Sequence, residues 1–259
     1  MNSKIIIYVN PNLIMTGILF YCIEHFLYIS KYEDVQLCVI FDGDIDVIKG
    51  IIKEKYDIIN LDNVVKIKPI DLLKSVTKKA LVLDTFTYNK IQNFTQKIDK
   101  IFLYSNDGDH NAREQDSVYG FYDYQKFNIK ERFKIGFQFM KPKTPHLDKT
   151  FCSHLALGIG SIDKSTIEEV AKYDVVYKDF NKDLDIFNFK EIIYYHTRHL
   201  ERNNRIIPEA FYFGNSLVVL NAEDTNDSVN ERYTACMEMG ASIFQIDAEY
   251  KVTKDFIAY

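Results

Sequence analysis

Four charged side chains within residues 201–209 have types and spacing suited to binding an anion: Glu201, Arg202, Arg205 and Glu209. Guanidinium groups suit phosphate because their N–H donors match pairs of phosphate oxygens. The same segment carries the signals of a helix that starts beyond the end of a strand. The N-terminus of such a helix attracts anions through its dipole and its unpaired N–H groups. The segment therefore predicts a site for a phosphate or diphosphate group.

The local pattern around these side chains is strand, loop, short helix and strand. Apolar runs at 191–196 and 216–220 predict the two strands. Asparagines at 203 and 204 are good N-caps, and Pro208 suits a first helical turn, where a missing N–H costs little. Gly214 is a natural stop because glycine enters the left-handed conformation without steric cost. Together these positions place the helix start at the carboxyl end of the first strand.

The spacing of the two glutamates resembles the donor-site signature of GT-B glycosyltransferases. Glu209 follows Glu201 after seven intervening residues and opens the pattern Glu-Ala-x-x-x-Gly, which ends at Gly214 before a strand. In that family the second glutamate holds the ribose hydroxyls of a nucleotide sugar, and nearby groups hold its diphosphate. The resemblance implies a nucleotide-sugar donor, a UDP-sugar, held by Glu209 with Glu201, Arg202 and Arg205 beside it. An ordinary α/β helix with two solvated glutamates is the alternative.

Strands alternate with helices along the first half of the chain, which predicts a parallel, doubly wound sheet. Apolar runs predict strands at 4–10, 35–42, 64–70, 80–84 and 101–105. Helices are predicted at 16–30, 45–56, 71–79 and 88–98. Ligands of such sheets bind beyond the carboxyl ends of the strands.

A second set of strands follows an aromatic and charged segment at 108–148. These strands are predicted at 154–160, 175–179, 192–196, 216–221 and 242–246, after a linker near 141–149. The chain therefore predicts an α/β fold with two Rossmann-like, doubly wound domains facing a cleft, as in GT-B enzymes. Residues 1–145 would bind the acceptor, and residues 146–259 the nucleotide sugar.

Asp107 ends a segment, residues 100–107, that is similar to the strand-to-aspartate segment of the DNA β-glucosyltransferases of T-even phages. The resemblance implies that Asp107 is the general base. A carboxylate within hydrogen-bond reach can deprotonate an acceptor hydroxyl. A plain Asn-Asp-Gly turn is the alternative for Asp107. Asp84, at the end of another predicted strand, is the alternative base.

Further donor contacts follow from the same resemblance. The turn at Gly160 and Ser161 is similar to the glycine–serine turn that opens the nucleotide domain of those enzymes. In those enzymes basic residues just after this turn bind the diphosphate, and this chain does not clearly keep them. Lys164, Arg202 or Arg205 would therefore bind the diphosphate here. Gly17, at the first strand–helix turn, and His196, at a strand end, complete the predicted donor contacts.

Composition limits the classes of function. The net charge is −5, with 21 basic and 19 acidic side chains in residues 1–150, which is no general nucleic-acid footprint. Four scattered cysteines predict buried thiols in a reducing compartment, and neither they nor the histidines have metal-site spacing. No run approaches the roughly 20 apolar residues that span a membrane, and no basic leader precedes a cleavable apolar segment. We expect a cytoplasmic protein of a bacterium or of a phage-infected host.

Two acceptors and two other functions stay open at this point. The acceptor is either a hydroxymethylated base in DNA, reached by base flipping, or a saccharide in surface polysaccharide synthesis. The other functions are a non-catalytic nucleotide- or sugar-binding protein and an interaction scaffold with idle glutamates. No metal and no cofactor besides the donor substrate are expected.

Overall fold

The computed structural model describes residues 3–10, 17–57, 60–105, 112–120, 139–154, 172–177, 186–195, 206–220 and 251–259. The chain divides into two compact units. The first comprises Met1–Lys141 together with Phe244–Tyr259, and the second comprises Pro142–Ile243. Each unit is built on its own parallel sheet.

The first sheet has six strands among the described residues. They are β1 (Lys4–Val9), β2 (Gln36–Ile40), β3 (Val64–Lys66), β4 (Lys79–Val82), β5 (Lys100–Ser105) and β6 (Ser117–Gly120). Their order is β3-β2-β1-β4-β5-β6, and every pairing is parallel. The direction in which the chain adds strands therefore reverses between β1 and β4. This order is compatible with a Rossmann-like sheet.

Helices connect these strands because parallel neighbours need a crossover. They are α1 (Gly17–Ile29), α2 (Ile45–Lys55) and α3 (Thr85–Ile91), with 3₁₀ turns at Pro69–Lys74 and Gln92–Phe94. Right-handed crossovers that run in opposite directions from β1 place helices on both faces of the sheet. On the α3 face, Tyr88 and Ile91 pack in one buried cluster with Ile5, Ile7 and Val9 of β1.

The second sheet has four described strands, all paired in parallel. They are β7 (Leu147–His154), β8 (Val175–Tyr177), β9 (Phe189–Tyr195) and β10 (Ser216–Leu220), in the order β10-β9-β7-β8. Helix α4 (Ile206–Phe213) connects β9 to β10. The order reverses here between β7 and β9. The α/β class with parallel sheets is thus confirmed for both halves of the chain.

Several element boundaries differ from the sequence prediction. Strand β7 begins at Leu147, inside the predicted linker, because Thr150 is tied to two neighbours: its hydroxyl donates to Glu191 Oε1 (2.7 Å) and its N–H donates to Asp174 Oδ2 (3.0 Å). Helix α3 begins at Thr85, before the predicted start, because Asp84 caps it. The predicted strand at 242–246 lies outside the described residues.

The C-terminal helix α5 (Lys251–Ala258) packs on the first sheet. The assignment of all residues from 146 to 259 to one domain is therefore wrong for this helix. The Phe256 ring meets the Phe102 ring of β5 edge-on, with 5.6 Å between centroids, and the Tyr119 hydroxyl donates to Asp255 Oδ2 at 2.7 Å. These contacts join residues more than a hundred positions apart, which sequence periodicity does not reveal.

A buried lysine fixes this helix to the sheet. The Lys79 side chain, 3% exposed at the start of β4, donates from Nζ to the carbonyl oxygens of Phe256 and Ile257 in the last turn of α5. Its ammonium also pairs with Glu33 Oε1 at 3.1 Å, and Lys4 pairs with the other oxygen of Glu33. A cation at a helix C-terminus is attracted to the negative end of the helix dipole and stabilises the helix. Burial lowers the pKa of Lys79, and the Glu33 carboxylate opposes that shift.

Replacing Lys79 should destabilise the first unit and loosen its C-terminal helix. In Lys79→Met the helix carbonyls lose a donor and the buried Glu33 loses one of its two cations. We expect the free energy of unfolding to fall by about 2–4 kcal/mol, with faster amide exchange throughout α5. Denaturant titration and hydrogen exchange measure both effects. The neighbouring exposed Lys78→Met is the matched control; equal effects of the two variants would contradict this role.

A second buried network holds the start of β5. Arg113 makes two hydrogen bonds to the Asp116 carboxylate (2.7 and 3.0 Å), and its Nη1 donates to the carbonyls of Thr95 and Ile98. The Tyr88 hydroxyl donates to Asp116 Oδ2 at 3.0 Å. Each hydrogen bond joins protein groups, so this arginine has a structural role.

Tyr88 gives this network a measurable pH dependence. Burial is the main cause that raises the pKa of Tyr88 to about 12. Because the folded pKa lies above the ordinary value of 10.0, the neutral hydroxyl stabilises the fold fully below pH 10. That contribution is lost as pH rises toward 12.

Tyr88→Phe should therefore cost about 1–2 kcal/mol at pH 8, and the deficit relative to the wild type should shrink as the pH is raised from 10 toward 12. Unfolding in denaturant at pH 8 and pH 11 measures this change. Tyr32→Phe is the control, because that ring is 61% exposed. A deficit that stays constant with pH would show that the Tyr88 hydroxyl does not titrate as described.

Candidate functional site

The carboxyl edge of the second sheet is one candidate site. Strand order reverses between β7 and β9, and ligands of parallel sheets bind in the crevice that such a reversal leaves. Helix α4 leads from the carboxyl end of β9 back to the start of β10, where Ser216 pairs with Glu191. The first turn of α4 therefore lies toward the edge at which a ligand would bind.

The structure of residues 206–220 matches the sequence prediction. The helix runs from Ile206 to Phe213, with Pro208 in its first turn, and Gly214 has a φ of 76°. The N–H of Asn215 donates to the carbonyl of Ala210 at 2.9 Å, which is the 6→1 hydrogen bond of a Schellman motif. The Asn215 amide also donates to the carbonyls of Phe187 and Phe189 at the start of β9. The helix end is thus fixed to the sheet.

Replacing Gly214 by alanine tests the left-handed conformation at the end of α4, and the same replacement at Gly50 in α2 is the control. A Cβ at Gly214 would meet no atom within 4 Å, and the same holds for Gly50 in α2, so neither substitution clashes. Only Gly214 has a positive φ. We expect Gly214→Ala to cost about 1–2 kcal/mol of stability, and Gly50→Ala to gain about 0.5–1 kcal/mol. Denaturant unfolding measures both, and effects of the same sign would contradict the left-handed helix end.

Glu209 is buried inside the second unit. Its residue surface is 2% exposed, and the adjacent Ala210 is fully buried. Glutamate is almost never buried to this extent unless it is paired, because a carboxylate loses much solvation energy in the interior. The alternative of two solvated glutamates is therefore wrong for Glu209. The structure places a buried carboxylate in the first turn of α4, the helix that follows β9, and β9 is one of the two strands that flank the reversal of strand order.

Of the other residues predicted for the site, only Gly17 is among the described residues. Gly17 is the first residue of α1, which follows β1. The remaining predicted residues lie outside the described residues and stay predictions: Asp107, Gly160, Ser161, Lys164, His196, Glu201, Arg202 and Arg205.

The carboxyl edge of the first sheet is a second candidate site, and it lies where the strand order reverses between β1 and β4. Asn10 follows β1 and is 8% exposed, and Asp84 follows β4 and is 5% exposed. The Asp84 carboxylate accepts a hydrogen bond from Thr87 N at 2.7 Å, and the Thr87 hydroxyl accepts one from Val9 N at 3.2 Å. These bonds join the ends of the two strands that flank the reversal.

Asp84, the alternative base, has a structural role here as the N-cap of α3. The run Asp-Thr-Phe-Thr after a strand carried that signal, since aspartate is a preferred N-cap. Sequence reasoning did not single out Asn10. Its N–H donates to the Ile40 carbonyl (2.9 Å) and its amide donates to the Tyr8 hydroxyl (3.0 Å), and both contacts depend on the sheet.

The described cysteines are not suited to nucleophilic chemistry. Cys22 and Cys38 are free and buried, as the sequence predicted. Burial, with smaller effects of the Asp84 and Glu24 charges, raises the pKa of the Cys22 thiol well above its ordinary value. Burial likewise raises the pKa of Cys38 to about 12. Because the thiolate is the reactive form, both side chains stay protonated and inert.

The part of the chain that the structure describes has neither a metal-binding cluster nor a membrane-spanning helix. Within it, no group of three or more His, Cys, Asp or Glu side chains has the geometry to hold a metal ion. No helix among the same residues has the length and apolar character needed to cross a membrane. Comparison with known proteins identifies no relative: no protein-family model, no curated protein and no solved structure matches this chain.

Proposed function

We propose that this protein is a metal-independent glycosyltransferase of the GT-B type. It transfers a sugar from a nucleotide sugar, a UDP-sugar, to a hydroxyl acceptor. The observation that carries the proposal is the position of Glu209, a carboxylate in the first turn of the helix that links β10 to β9, and β9 is one of the two strands that flank the reversal of strand order.

In this proposal Glu209 accepts hydrogen bonds from the ribose hydroxyls of the donor. A carboxylate accepts from two neighbouring hydroxyls at once, because its two oxygens offer about four lone-pair sites. Arg202, Arg205 or Lys164 binds the diphosphate, aided by the N-terminus of α4, and these charges stabilise the leaving group without a metal. Glu201, His196, Gly160, Ser161 and Gly17 complete the donor contacts.

Transfer itself needs a base for the acceptor. As the acceptor oxygen bonds to the anomeric carbon, the bond from that carbon to the diphosphate oxygen breaks, and the acceptor proton passes to Asp107. Asp107 remains the proposed base because Asp84 already caps α3 through Thr87. DNA with hydroxylated bases and a saccharide are the two candidate acceptors.

A nucleotide-binding protein without transferase activity is the second candidate. One observation favours it: the carboxylate that the structure describes at the carboxyl edge of β4 has a capping role. This candidate keeps the donor site and lacks turnover. A scaffold with idle, exposed glutamates does not agree with the burial of Glu209.

Donor binding is tested by the thermal shift of the protein with UDP, GDP, ADP and dTDP. We expect one nucleotide, UDP, to raise the melting temperature. Glu209→Gln keeps the shape but weakens the hydrogen bonds to ribose, so affinity should fall about 10- to 100-fold. Glu191→Gln is the control, since this β9 carboxylate accepts from the Thr150 hydroxyl at 2.7 Å. No shift with any nucleotide, or equal losses in both variants, would overturn the donor site.

Turnover separates the two candidates. UDP release from UDP-glucose, measured with hydroxymethylated DNA and with disaccharide acceptors, should occur in the wild type and be lost in Asp107→Asn. Donor binding should be unchanged in that variant. Binding of UDP with no turnover on any of these acceptors would favour the non-catalytic candidate.

A further inference from the structure

We propose that the amino edge of the first sheet, where its strands start, is a self-complementary surface at which two copies of this chain form a two-fold dimer. One part of this edge, the basic sector, comprises residues 74–78 and 97–100, which lead into β4 and β5. The other part, the acidic sector, comprises residues 31–34, 57 and 60–63, which lead into β2 and β3. Both candidate sites lie at carboxyl edges, so the dimer goes beyond the proposed function and does not depend on it.

Three lysines of the basic sector are exposed and have no ion-pair partner among the described residues. They are Lys74, Lys78 and Lys97. The two segments of the sector lie side by side, because the Lys100 N–H donates to the Lys78 carbonyl at 3.1 Å. Asp99 is the one acidic residue of this sector, and the Lys100 ammonium lies over the Tyr259 ring at 5.1 Å. The sector therefore presents a net positive charge.

A valine in the middle of segment 74–78 has its side chain turned outward. Val76 is 83% exposed, the largest fraction among the large apolar side chains that the structure describes. Its neighbours Ser75 and Thr77 are buried, although both are polar. The Thr77 hydroxyl donates to Ser75 Oγ (2.9 Å), and Ser75 Oγ donates to the Leu72 carbonyl (3.0 Å). These bonds fix the loop, so Val76 is held outward among the lysines.

The acidic sector has the same construction with the opposite charge. Its exposed acidic side chains are Asp34, Asp57 and Asp62. The Asn63 amide donates to Asp34 Oδ1 at 3.0 Å, which joins the segments that precede β2 and β3. Tyr32 is 61% exposed here, and Lys31, the one basic residue of the sector, lies over the Phe139 ring at 4.6 Å. Each sector thus combines one well-exposed, largely apolar side chain with charges mainly of one sign.

Strand order fixes how two such sectors can meet. β4 and β5 are the first and second neighbours of β1 on one side, and β2 and β3 are those on the other side. Because neighbouring strands lie about 4.8 Å apart, the two sectors are at equal distances from β1. A two-fold axis normal to the sheet, through the start of β1, places the basic sector of one copy opposite the acidic sector of the other, and the converse. A two-fold axis along the edge would place like charges opposite each other, which is unfavourable.

The same pattern makes a uniformly anionic partner a poorer occupant of this edge. Both sectors lie within roughly 10 Å of β1, about one Debye length at physiological salt. A membrane surface or a nucleic acid at the basic sector would therefore also meet the carboxylates of the acidic sector. A second copy meets each sector with the opposite charge. It also brings Val76 toward Tyr32 of the other copy, which removes exposed apolar surface from water.

Sedimentation equilibrium of the full-length protein tests the dimer. We expect the mass to rise with concentration from 30.4 kDa toward twice that value, and added salt to weaken the association because it screens exposed charges. Lys97→Glu and Asp62→Lys change the β5 and β3 segments that face each other, and each should raise the dissociation constant at least about tenfold. Lys68→Glu is the control, because this exposed lysine follows β3 at the carboxyl edge and should change nothing.

Mixing the two variants separates a lost interface from a damaged fold. In a mixed dimer one contact has both charges reversed and the other contact has both charges in place, so opposite charges face each other in each contact. An equimolar mixture of Lys97→Glu and Asp62→Lys should therefore dimerise nearly as well as the wild type.

Three results would overturn the dimer surface. One is a wild type that stays monomeric at every concentration. Another is a dissociation constant that is the same in the wild type and in both variants. The third is a mixture of the two variants that associates no better than either variant alone.

Discussion

Parallel pairing of β1 with β2 on one side and with β4 on the other is the constraint on which the first unit depends. Parallel neighbours need long crossovers, and crossovers of one handedness cover opposite faces when they run in opposite directions. The helices that follow β1 and β4, α1 and α3, therefore lie on opposite faces of the sheet. Strand β7 has the same relation to β8 and β9 in the second unit. Among the described strands each sheet has one reversal of strand order, and each candidate site follows a strand that flanks it.

The two edges of the first sheet have different polar chemistry. At the strand starts, charged groups satisfy one another: Lys79 pairs with Glu33 and the end of α5, and Arg113 pairs with Asp116. At the carboxyl ends, Asn10 and Asp84 are buried: Asn10 bonds to Ile40 and Tyr8, and Asp84 caps α3. Ion pairs thus stabilise one edge of the sheet, and a strand-end hydrogen bond and a helix cap stabilise the other.

Local signals predicted local structure well. The glycine at 214 and the apolar runs on either side of α4 fixed that helix, because left-handed glycine and strand periodicity depend only on nearby residues. Contacts between distant residues were not predictable in this way. The position of α5 depends on Lys79, which the sequence pattern placed at the end of a predicted helix, 71–79. The start of strand β7 was missed because residues 148–150 are polar, and Thr150 is held there by hydrogen bonds to Asp174 and Glu191, far along the chain.

The sequence predicted those features of the candidate site that depend on residue type and local backbone. It did not predict those that depend on which side chains are buried. The spacing of Glu201 and Glu209 indicated a donor site, yet only the fold shows that Glu209 is buried. Asp84 was considered as a base, and only its hydrogen bond to Thr87 shows that it caps a helix.

Hydrogen exchange measured with and without UDP-glucose tests the central claim most directly, because it locates the bound nucleotide along the chain. If the second unit binds the donor through Glu209, peptides covering 206–213 gain protection, while the amides of β1 and β4 exchange at unchanged rates. Protection confined to the first unit, or no protection at saturating UDP-glucose, would contradict the account.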